Sequence, residues 1–538
     1  MSSMATHFTP RRFHVPREHG ATLIDPPLKQ CVELIADNQE QFRSRSLNVQ
    51  GRDFSSLATD ARTELLHQAT SYTSAYRAVP EPLDTELDAP IIMSGHQPEL
   101  FHPGVWAKNF AIHGLAQQHG GHAINVIVDN DICATSSIRV PTGTLESPTI
   151  ASTMYDSSQR KIPYEERRIC DTELFASFGK RTAATISPLV ADPLINTFWT
   201  PATEASCRSN NLGQCLAEAR HVYEEQIGLE TLEYPLSRIC DTTPFRWFAC
   251  HLLANLPMLW EIYNDALSEY RQTHKLRSHS HPVPNLAMDG DYLEAPFWMW
   301  SDKSPERLPM FARYVGDAIE LTDRHKLRLS LNLDSDQDAG SAVQQLKQFA
   351  QNGIRIRPRA LLTTMYLRLF LCDLFVHGVG GAKYDEVTNR VLQQFFNIEP
   401  PSFLVTSATS ILPIPTAQVT PAELRHNTWL LRDMTYHPEH HVEVHREEIK
   451  QQIAEKQRWI SKNCLPQDRR KRHLAIERIN RSLQSFLEEK RELTVQKRLK
   501  IEDSLSKNAL LTSREYSFCL FPNEILCRLL LELFVKDL

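Results

Sequence analysis

A short apolar run that ends in a loop crowded with Gly, Pro and His constrains the fold more than any other feature. The run "IIM" (91–93) is followed by "SGHQPELFHPG" (94–104), the helical pattern "GVWAKNFAIHGLAQQH" (104–119) and the β-branched run "AINVIVDND" (123–131). A strand, a helix and a strand within about 40 residues indicate a βαβ crossover, which pairs the two strands in parallel. The sequence therefore predicts a parallel sheet.

The loop 94–104 and the two acids of "DND" each follow a predicted strand. In parallel sheets, ligands bind beyond the carboxyl ends of the strands. We therefore expect both segments to lie on one rim of the sheet and to form part of a ligand site.

The first loop has the residue types of an anion site. Glycine lets the backbone approach a phosphate, and backbone amides at a helix start bind anions. His96, His102 and Lys108 are the candidate catalytic side chains. The neighbouring candidates for ligand binding are Ser94, Gly95, Gln97, Gly104 and Asn109. The alternative is a proline-rich turn whose polar side chains only cap the helix.

Asp129 and Asp131 are two residues apart at the end of the second strand. Alternate residues of a strand point the same way, so both carboxylates are expected to face one site. They would bind Mg²⁺ with a nucleotide, an amine or ribose hydroxyls. The alternative is a helix cap and a solvated loop.

A second glycine-rich loop, "HGVGGAKYDE" (377–386), follows an apolar run and opens a helix. Its amides would cradle an anion, although the pattern is neither a P-loop nor a dinucleotide fingerprint. The alternative is that the glycines allow close helix packing. The candidate ligand-binding residues here are His377, Gly378, Gly380, Gly381, Lys383, Tyr384 and Asp385. Upstream, Arg357 and Arg359 would pair with a carboxylate or phosphate, or lie on the surface.

Three segments resemble the bacillithiol-biosynthesis cysteine ligase family. "SGHQPELFHPGVWAKNFAI" resembles its "GQQ-P-x-LF-x-GP" loop and helix, "VIVDND" a strand that ends in an acidic cluster, and 356–412 its "RP…VGGPGEIAYW" block. His96 stands where the family has Gln, "HGVGGAKYDE" replaces its "GGPGE", and 134–330 shows no match.

The resemblance implies an α/β fold: a Rossmann-like parallel-sheet core related to the HxGH nucleotidylyl-transferases, followed by a C-terminal antiparallel α-helical coiled-coil arm. It implies a homodimer and an enzyme that attaches cysteine to glucosaminyl malate. We therefore expect a nucleotide-binding ligase or transferase that joins an amino-acid carboxylate to an amine such as an amino sugar. ATP or ADP and Mg²⁺ are the expected cofactors.

Four segments are predicted along the chain: an N-terminal helical segment (1–90), the α/β core (91–420) with a mixed middle region (134–330), the helical arm (421–510) and a return to the core (511–538). Residues 444–510 hold 17 Lys and Arg against 10 Asp and Glu, with a turn at "NCLPQD" (463–468). The alternative function is therefore a non-catalytic assembly or RNA-binding protein that uses the basic arm, although interleaved acids make a nucleic-acid partner the weaker prediction.

Two further patterns permit a site but are more typical of ordinary structure. The segment "EAPFWMWS" (294–301) would form an aromatic platform for a sugar or base, or a core strand. In "YHPEHHVEVH", His437, His441 and His445 have helical i, i+4, i+8 spacing, with His440 beside them. Such a pattern binds zinc or, more commonly, marks a solvated helix start.

Composition narrows the class of protein. The eleven cysteines are scattered without a CxxC pair, which is typical of reduced thiols rather than a disulfide framework. No apolar run reaches the 18 residues of a membrane span, and the first residues lack an apolar signal core. A cytoplasmic protein with a small-molecule substrate and no membrane partner is expected. The net charge of −6 is too mild to predict a polyanionic partner for the whole chain.

Overall fold

The computed structural model describes residues 13–79, 89–158, 160–278, 280–333, 338–463 and 465–536. The chain divides into two compact units. The first comprises 1–140, 151–412 and 514–538, and the second comprises 141–150 and 413–513. The first unit thus combines most of the predicted N-terminal segment and core with the C-terminal return, and the second contains the predicted arm.

The strands of the described residues are β1 (Thr22–Asp25), β2 (Asn48–Val49), β3 (Arg52–Asp53), β4 (Ile91–His96), β5 (His122–Ile127), β6 (Ser137–Gly143), β7 (Pro148–Met154), β8 (Leu232–Pro235), β9 (Met288–Asp289), β10 (Tyr292–Ser301), β11 (Ser304–Val315), β12 (Ala318–Thr322), β13 (Arg328–Leu331), β14 (Ile354–Pro358), β15 (Leu374–His377) and β16 (Phe403–Ala408).

The α-helices are α1 (Cys31–Ser44), α2 (Phe54–Ser74), α3 (Pro103–His119), α4 (Thr172–Ile186), α5 (Ile195–Arg208), α6 (Leu212–Gln226), α7 (Leu236–Cys240), α8 (Thr243–Ala254), α9 (Leu256–Thr273), α10 (Gly340–Gln351), α11 (Ala360–Tyr366), α12 (Val379–Phe395), α13 (Pro421–Tyr436), α14 (Glu447–Ser461), α15 (Arg469–Gln484), α16 (Glu488–Leu511) and α17 (Asn523–Leu531).

The central sheet of the first unit has the spatial order β1-β16-β15-β4-β5-β8. β16, β15, β4, β5 and β8 are mutually parallel, whereas β1 pairs antiparallel with the edge strand β16. Numbered along the chain, the parallel strands have the order 3-2-1-4-5 of doubly wound α/β sheets. The predicted βαβ crossover β4–α3–β5 is confirmed, and the point where the strand order reverses lies between β4 and β15.

Burial on both faces explains why these strands are apolar runs rather than alternating patterns. Ile91, Ile92 and Met93 of β4 are buried, as is nearly all of α3 from Pro103 to Ala116. The sheet and helices are therefore held rigidly below the carboxyl ends of the strands.

A second, antiparallel sheet lies in the mixed middle region, in the order β13-β12-β11-β10-β14, and β9 also pairs with β10. The sequence also predicts strands in "RLPMFARYVGDAIEL" (307–321) and "KLRLSLNLDSD" (326–336). β11, β12 and β13 confirm them as far as Leu331, and 334–336 lie outside the described residues. The segment "EAPFWMWS" lies within β10. Phe297 and Trp300 are buried in the core, whereas Trp298 lies next to a cavity described below.

Two local predictions were wrong. The pattern over 245–270 predicts one helix, but α8 ends at Ala254 and α9 begins at Leu256, because Pro257 disfavours helical geometry in the preceding turn. For the helical pattern "ATDARTELLHQATSYTSAY" (58–76), the sequence predicts Ser55 or Ser56 as the N-cap. Helix α2 instead begins at Phe54, and its cap is Asp53, which accepts a hydrogen bond from the Ser56 amide.

The second unit is built from the four helices α13 to α16. Helix α13 contacts α16, and α14 contacts α15. The first two helices of the unit, its outgoing half, therefore pack on the last two, its returning half. The predicted turn at 463–468 lies between α14 and α15, with a 3₁₀ turn at Pro466–Asp468. The prediction of two long helices was incomplete, since the outgoing half breaks between Tyr436 and Glu447.

The break also corrects the predicted histidine pattern. Helix α13 ends at Tyr436, and a 3₁₀ turn follows at Pro438–His440. The residue before a proline is driven out of helical geometry, and His437 accordingly has φ −132° and ψ 55°. The histidines therefore do not follow helical i, i+4, i+8 spacing. In the part of the chain that the structure describes, no helix has the length and apolar character to cross a bilayer.

Candidate functional site

A cavity of about 660 Å³ lies at the carboxyl ends of β4 and β15, where the strand order reverses. We call it the switch-point cavity. The predicted site residues that line it are Gly95, His96, Gln97, His102, Gly104, Lys108, Asp131, Arg359, His377, Gly378, Gly380, Gly381, Tyr384 and Asp385. Both glycine-bearing turns, distant in sequence, therefore contribute to one cavity, as expected for a doubly wound sheet.

Helix α3 begins at the wall of this cavity. His102 is its N-cap, and its Nδ1 accepts a hydrogen bond from the Gly104 amide at 3.1 Å. A Cβ atom at Gly104 would lie 2.5 Å from both the Ala408 carbonyl oxygen and an Arg514 nitrogen. His102 therefore caps the helix, as the alternative interpretation predicted, and Gly104 is required by close packing. Both residues also line the cavity.

His96 is a buried member of the wall. Its Nε2 lies 3.1 Å from Oδ1 of Asn109 and its Nδ1 lies 3.1 Å from the Gln97 carbonyl oxygen. Burial, and then the charges of Lys108 and Arg220, lower the pKa of His96 well below its ordinary value. A cationic contact from His96 to a phosphate is therefore disfavoured.

Lys108 joins the two turns. Its Nζ donates a hydrogen bond to the Gly95 carbonyl oxygen at 2.6 Å, and a Cβ atom at Gly378 would lie 3.9 Å from its Cδ. Burial, and then the charge of Arg220, lower the pKa of this amine to about 7. Lys108 is therefore able to exchange a proton near neutral pH, and an anion in the cavity would stabilise its charged form.

His377 ends β15 and faces the cavity. Its Nε2 lies 2.6 Å from Oδ2 of Asp385, which also accepts a hydrogen bond from Arg368 at 2.8 Å. Thr364 donates to the other carboxylate oxygen at 2.6 Å. Burial alone would raise the pKa of Asp385, but His377 and Arg368 hold it below its ordinary value. Asp385 therefore fixes the orientation of the imidazole.

The start of α12 lies against this pair. Gly378 is the N-cap of α12, and a Cβ at Gly381 would lie 2.7 Å from Nδ1 of His377. At Gly380, by contrast, a Cβ would have no neighbour within 4 Å. The close-packing alternative therefore holds for Gly381, whereas Gly380 leaves the helix start open toward the cavity.

Of the two aspartates that follow β5, Asp131 is the one that lines the switch-point cavity. Its Oδ2 accepts a hydrogen bond from Gln97 Nε2 at 2.8 Å, and its Oδ1 accepts one from Arg307 at 3.0 Å. The Arg307 guanidinium lies 4.5 Å from the ring centroid of Trp298, and that of Arg359 lies 4.2 Å from the same ring. Trp298 thus orients the guanidinium groups of Arg307 and Arg359 rather than forming a platform on its own.

The expectation that Asp129 and Asp131 face one site was wrong. Strand β5 ends at Ile127 and the chain turns, so that Asp129 lines a second cavity of about 460 Å³. Ser237 donates to both carboxylate oxygens of Asp129, from its amide at 2.8 Å and its hydroxyl at 2.5 Å. Burial, and then Glu165, raise the pKa of Asp129 to about 7. In this structure the two aspartates therefore line different cavities rather than one site.

Arg357 and Arg359 also separate. Arg357 lines the second cavity and pairs with Glu165 at 2.9 Å, whereas Arg359 lines the switch-point cavity and pairs with Glu294. Both side chains are buried, which removes the surface alternative, and each pairs with a carboxylate of the chain itself.

Three predicted residues lie outside the described lining of either cavity: Ser94, Asn109 and Lys383. Ser94 donates to the Val376 carbonyl oxygen and so ties β4 to β15. Asn109 donates to Glu224 and thus supports His96 from behind. These two residues position the wall rather than contact a ligand.

Sequence reasoning missed several lining residues. Arg307, Ser407, Arg514 and Glu515 all line the switch-point cavity, as does Trp298, which belongs to the aromatic segment named as a possible platform. They come from the second sheet, the end of β16 and the C-terminal segment, so no local motif connects them to the two turns. The aromatic segment at 294–301 is the one signal that pointed toward part of this set.

Neither a scan against protein-family models nor a search of curated proteins finds a match to this chain. The resemblance to the cysteine ligase family therefore stays a prediction.

Proposed function

We propose that the chain is a nucleotide-binding ligase or transferase that joins a carboxylate to an amine in the switch-point cavity. The observation that carries the proposal is that α3 and α12 both begin at this cavity, with the buried Lys108 between them. Helix N-termini stabilise anions through their free amides and dipole. Two such ends with an amine between them suit a nucleotide phosphate.

The charges around the cavity suit an anionic substrate with an amine. The basic side chains Lys108, Arg307, Arg359 and Arg514 line it together with the acids Asp131, Asp385 and Glu515. In the proposed reaction, Arg307 and Arg514 would bind the carboxylate, and Asp131 would orient the amine. Mg²⁺ would enter with the nucleotide, as is usual for this ion.

The proposed chemistry has two steps. A carboxylate oxygen of the first substrate attacks a phosphorus of ATP and forms a mixed anhydride. The P–O bond to the leaving group breaks, which releases ADP after attack at the γ-phosphorus or pyrophosphate after attack at the α-phosphorus. The amine of the second substrate then attacks the carbonyl carbon, loses a proton to His377 and displaces the phosphate-containing group. The Asp385 carboxylate stabilises the imidazolium that forms.

We also propose that the core is related to the HxGH nucleotidylyl-transferases and that the chain is a divergent relative of the bacillithiol cysteine ligases. The 3-2-1-4-5 strand order and the position of the "SGHQPELFHPG" loop support this proposal. In that case cysteine and an amino sugar are the substrates to test first.

A condensation assay tests the function. The full chain is incubated with ATP, Mg²⁺, cysteine and glucosaminyl malate, and mass spectrometry follows a product whose mass is the sum of the two substrates minus water. We expect the product with wild type, a strong loss with His377→Gln, and little change with the surface variant His473→Gln. A product that forms equally well without nucleotide would contradict the ATP-driven step.

Self-association through the second unit is part of the proposal. Large apolar side chains of this unit are 42–63% exposed at Ile460, Leu465, Leu474, Leu493 and Leu499. Light scattering should give the mass of a dimer for wild type and for Met258→Glu in the first unit, and a lower mass for Leu493→Glu combined with Leu499→Glu. A monomeric wild type would contradict this part of the proposal.

A further inference from the structure

A cluster of one carboxylate and three imidazoles lies where α13 ends. Nδ1 of His437 lies 3.0 Å from Oδ1 of Asp433, and Nδ1 of His440 lies 3.4 Å from Oδ2. Nε2 of His441 lies 2.8 Å from the same Oδ2. All four residues belong to the second unit, far along the chain from the residues of the proposed active site.

The spacing of these atoms matches the edges of a metal coordination shell. Zinc binds imidazole nitrogen and carboxylate oxygen at about 2.0–2.1 Å, so neighbouring ligands of a tetrahedral ion are about 3.3 Å apart. His437 lies 3.0 Å from Oδ1 of Asp433 and His440 lies 3.4 Å from the other oxygen, Oδ2, and one ligand atom from each of the three residues lies within 4.8 Å of the others.

Breaking the helix is what brings the ligands together. Histidines at i, i+4 and i+8 of a straight helix span two turns, too far for one ion. Here Pro438 ends the helix, and the 3₁₀ turn Pro438–His440 brings His440 and His441 back to the carboxylate of Asp433. Pro438, which ends the helix, thus also brings the ligands into a compact set.

The loop that carries the ligands is fixed by buried contacts. Lys456, itself buried, donates to the Tyr436 carbonyl oxygen at 2.9 Å and to Glu439 at 2.5 Å. Met434 and Val442, on either side of the cluster, are part of the apolar core of this unit. The ligand positions are therefore largely set before an ion binds, which lowers the entropic cost of binding.

Solvent reaches the cluster, and a neighbouring histidine orients its carboxylate. The side chains of His437 and His440 are 54% and 60% exposed, so an ion can reach them from solvent. Asp433 and His441 are each only 12% exposed, and the hydrogen bond between them would orient the carboxylate as outer-shell partners commonly do.

We propose that Asp433, His437 and His440 form a zinc site with His441 as the residue that orients the carboxylate, and with water in the remaining position. Two imidazoles and a carboxylate suit Zn²⁺ better than Mg²⁺ or Ca²⁺, because those two ions prefer oxygen ligands. The ion joins the last turn of α13 to the turn that follows and so fixes the break between α13 and α14.

The test uses the full chain without a histidine tag and with reduced thiols. Calorimetric titration with Zn²⁺ at pH 7.5 should give one strong equivalent, and the double variant His437→Ala/His440→Ala should weaken it at least 100-fold. His445→Ala, which removes an exposed histidine of the same segment outside the cluster, should bind like wild type. Asp433→Asn, with the imidazoles intact, should weaken binding at least tenfold.

A Co²⁺ spectrum identifies the ligands independently. Nitrogen and oxygen ligation gives visible d–d bands without thiolate charge transfer, so the cysteines of the chain are distinguished from the histidine cluster. Circular dichroism verifies that the variants are folded; if the double variant is not, the single variants His437→Gln and His440→Gln should each weaken binding at least tenfold. Zinc affinity that is unchanged in the folded variants, or thiolate charge transfer, would overturn the proposal.

Discussion

Nε2 of His377 lies 2.6 Å from Oδ2 of Asp385, inside a buried network that also holds Arg368 and Thr364. The pair connects the end of β15 with the second turn of α12, so one carboxylate orients the cavity imidazole and balances the charge of Arg368. The orientation of the cavity imidazole and the stability of the fold are therefore coupled at this position.

Asp385→Asn should lower the free energy of unfolding by about 3 kcal/mol, because removal of one partner leaves the buried Arg368 without its counter-charge. Denaturant unfolding at pH 7 measures the change. Asp317→Asn, on an exposed turn, should stay within about 0.5 kcal/mol of wild type. A similar small effect for Asp385→Asn would show that the network contributes little to stability.

Gly380 and Gly381 form a matched pair in the first turn of α12. Gly381→Ala should destabilise the protein and impair the condensation reaction, because the new Cβ would lie 2.7 Å from Nδ1 of His377. Gly380→Ala meets no atom within 4 Å and replaces glycine by a better helix former, so its thermal midpoint should be unchanged or higher. The reverse order of midpoints would contradict the packing described for His377.

Lys108→Met should stabilise the protein without ligand below neutral pH. The folded state lowers the lysine pKa from 10.5 to about 7, so between these values the unfolded chain binds more protons and wild-type stability rises with pH. The gain in the variant should be roughly 3 kcal/mol at pH 6 and shrink toward pH 10. Unfolding curves across this range measure it, and a gain that grows with pH would have the wrong sign.

The architecture of the core could be predicted because local pattern and topology agree there. The apolar run 91–93, the loop and the helix specify β4–α3–β5, and the parallel-strand rule then places His96 and the later glycine turn at one edge. Side-chain direction was less predictable. Asp129 and Asp131 line different cavities because β5 ends at Ile127, one residue before the apolar run ends at Val128, and the turn that follows separates the two carboxylates.

Residues brought in by long-range packing left no signal in the sequence. Arg514 reaches the cavity after more than a hundred residues of intervening chain and contacts Ser407 and the Ala408 carbonyl oxygen at 3.3 Å. Arg307 is positioned by the antiparallel sheet, whose register no local motif specifies. The histidine cluster was misread for the opposite reason, since its spacing fits a helix that Pro438 ends.

The most direct test of the central claim, that the two glycine-bearing turns form one anion-binding cleft around Lys108, is calorimetric titration with ADP from pH 6.5 to 8.5. The wild-type Kd should rise above pH 7 by up to about tenfold per unit, because binding the phosphate takes up a proton on Lys108. Lys383→Met, at a residue outside the cavity lining, should keep this pH dependence of the Kd. It serves as the control for protonation of the nucleotide itself, which affects wild type and variant alike. Lys108→Met should bind about 10–100-fold more weakly at pH 6.5 and lose the additional slope. ADP affinity that is the same in wild type and Lys108→Met at every pH, or no binding of ADP to wild type, would contradict the account.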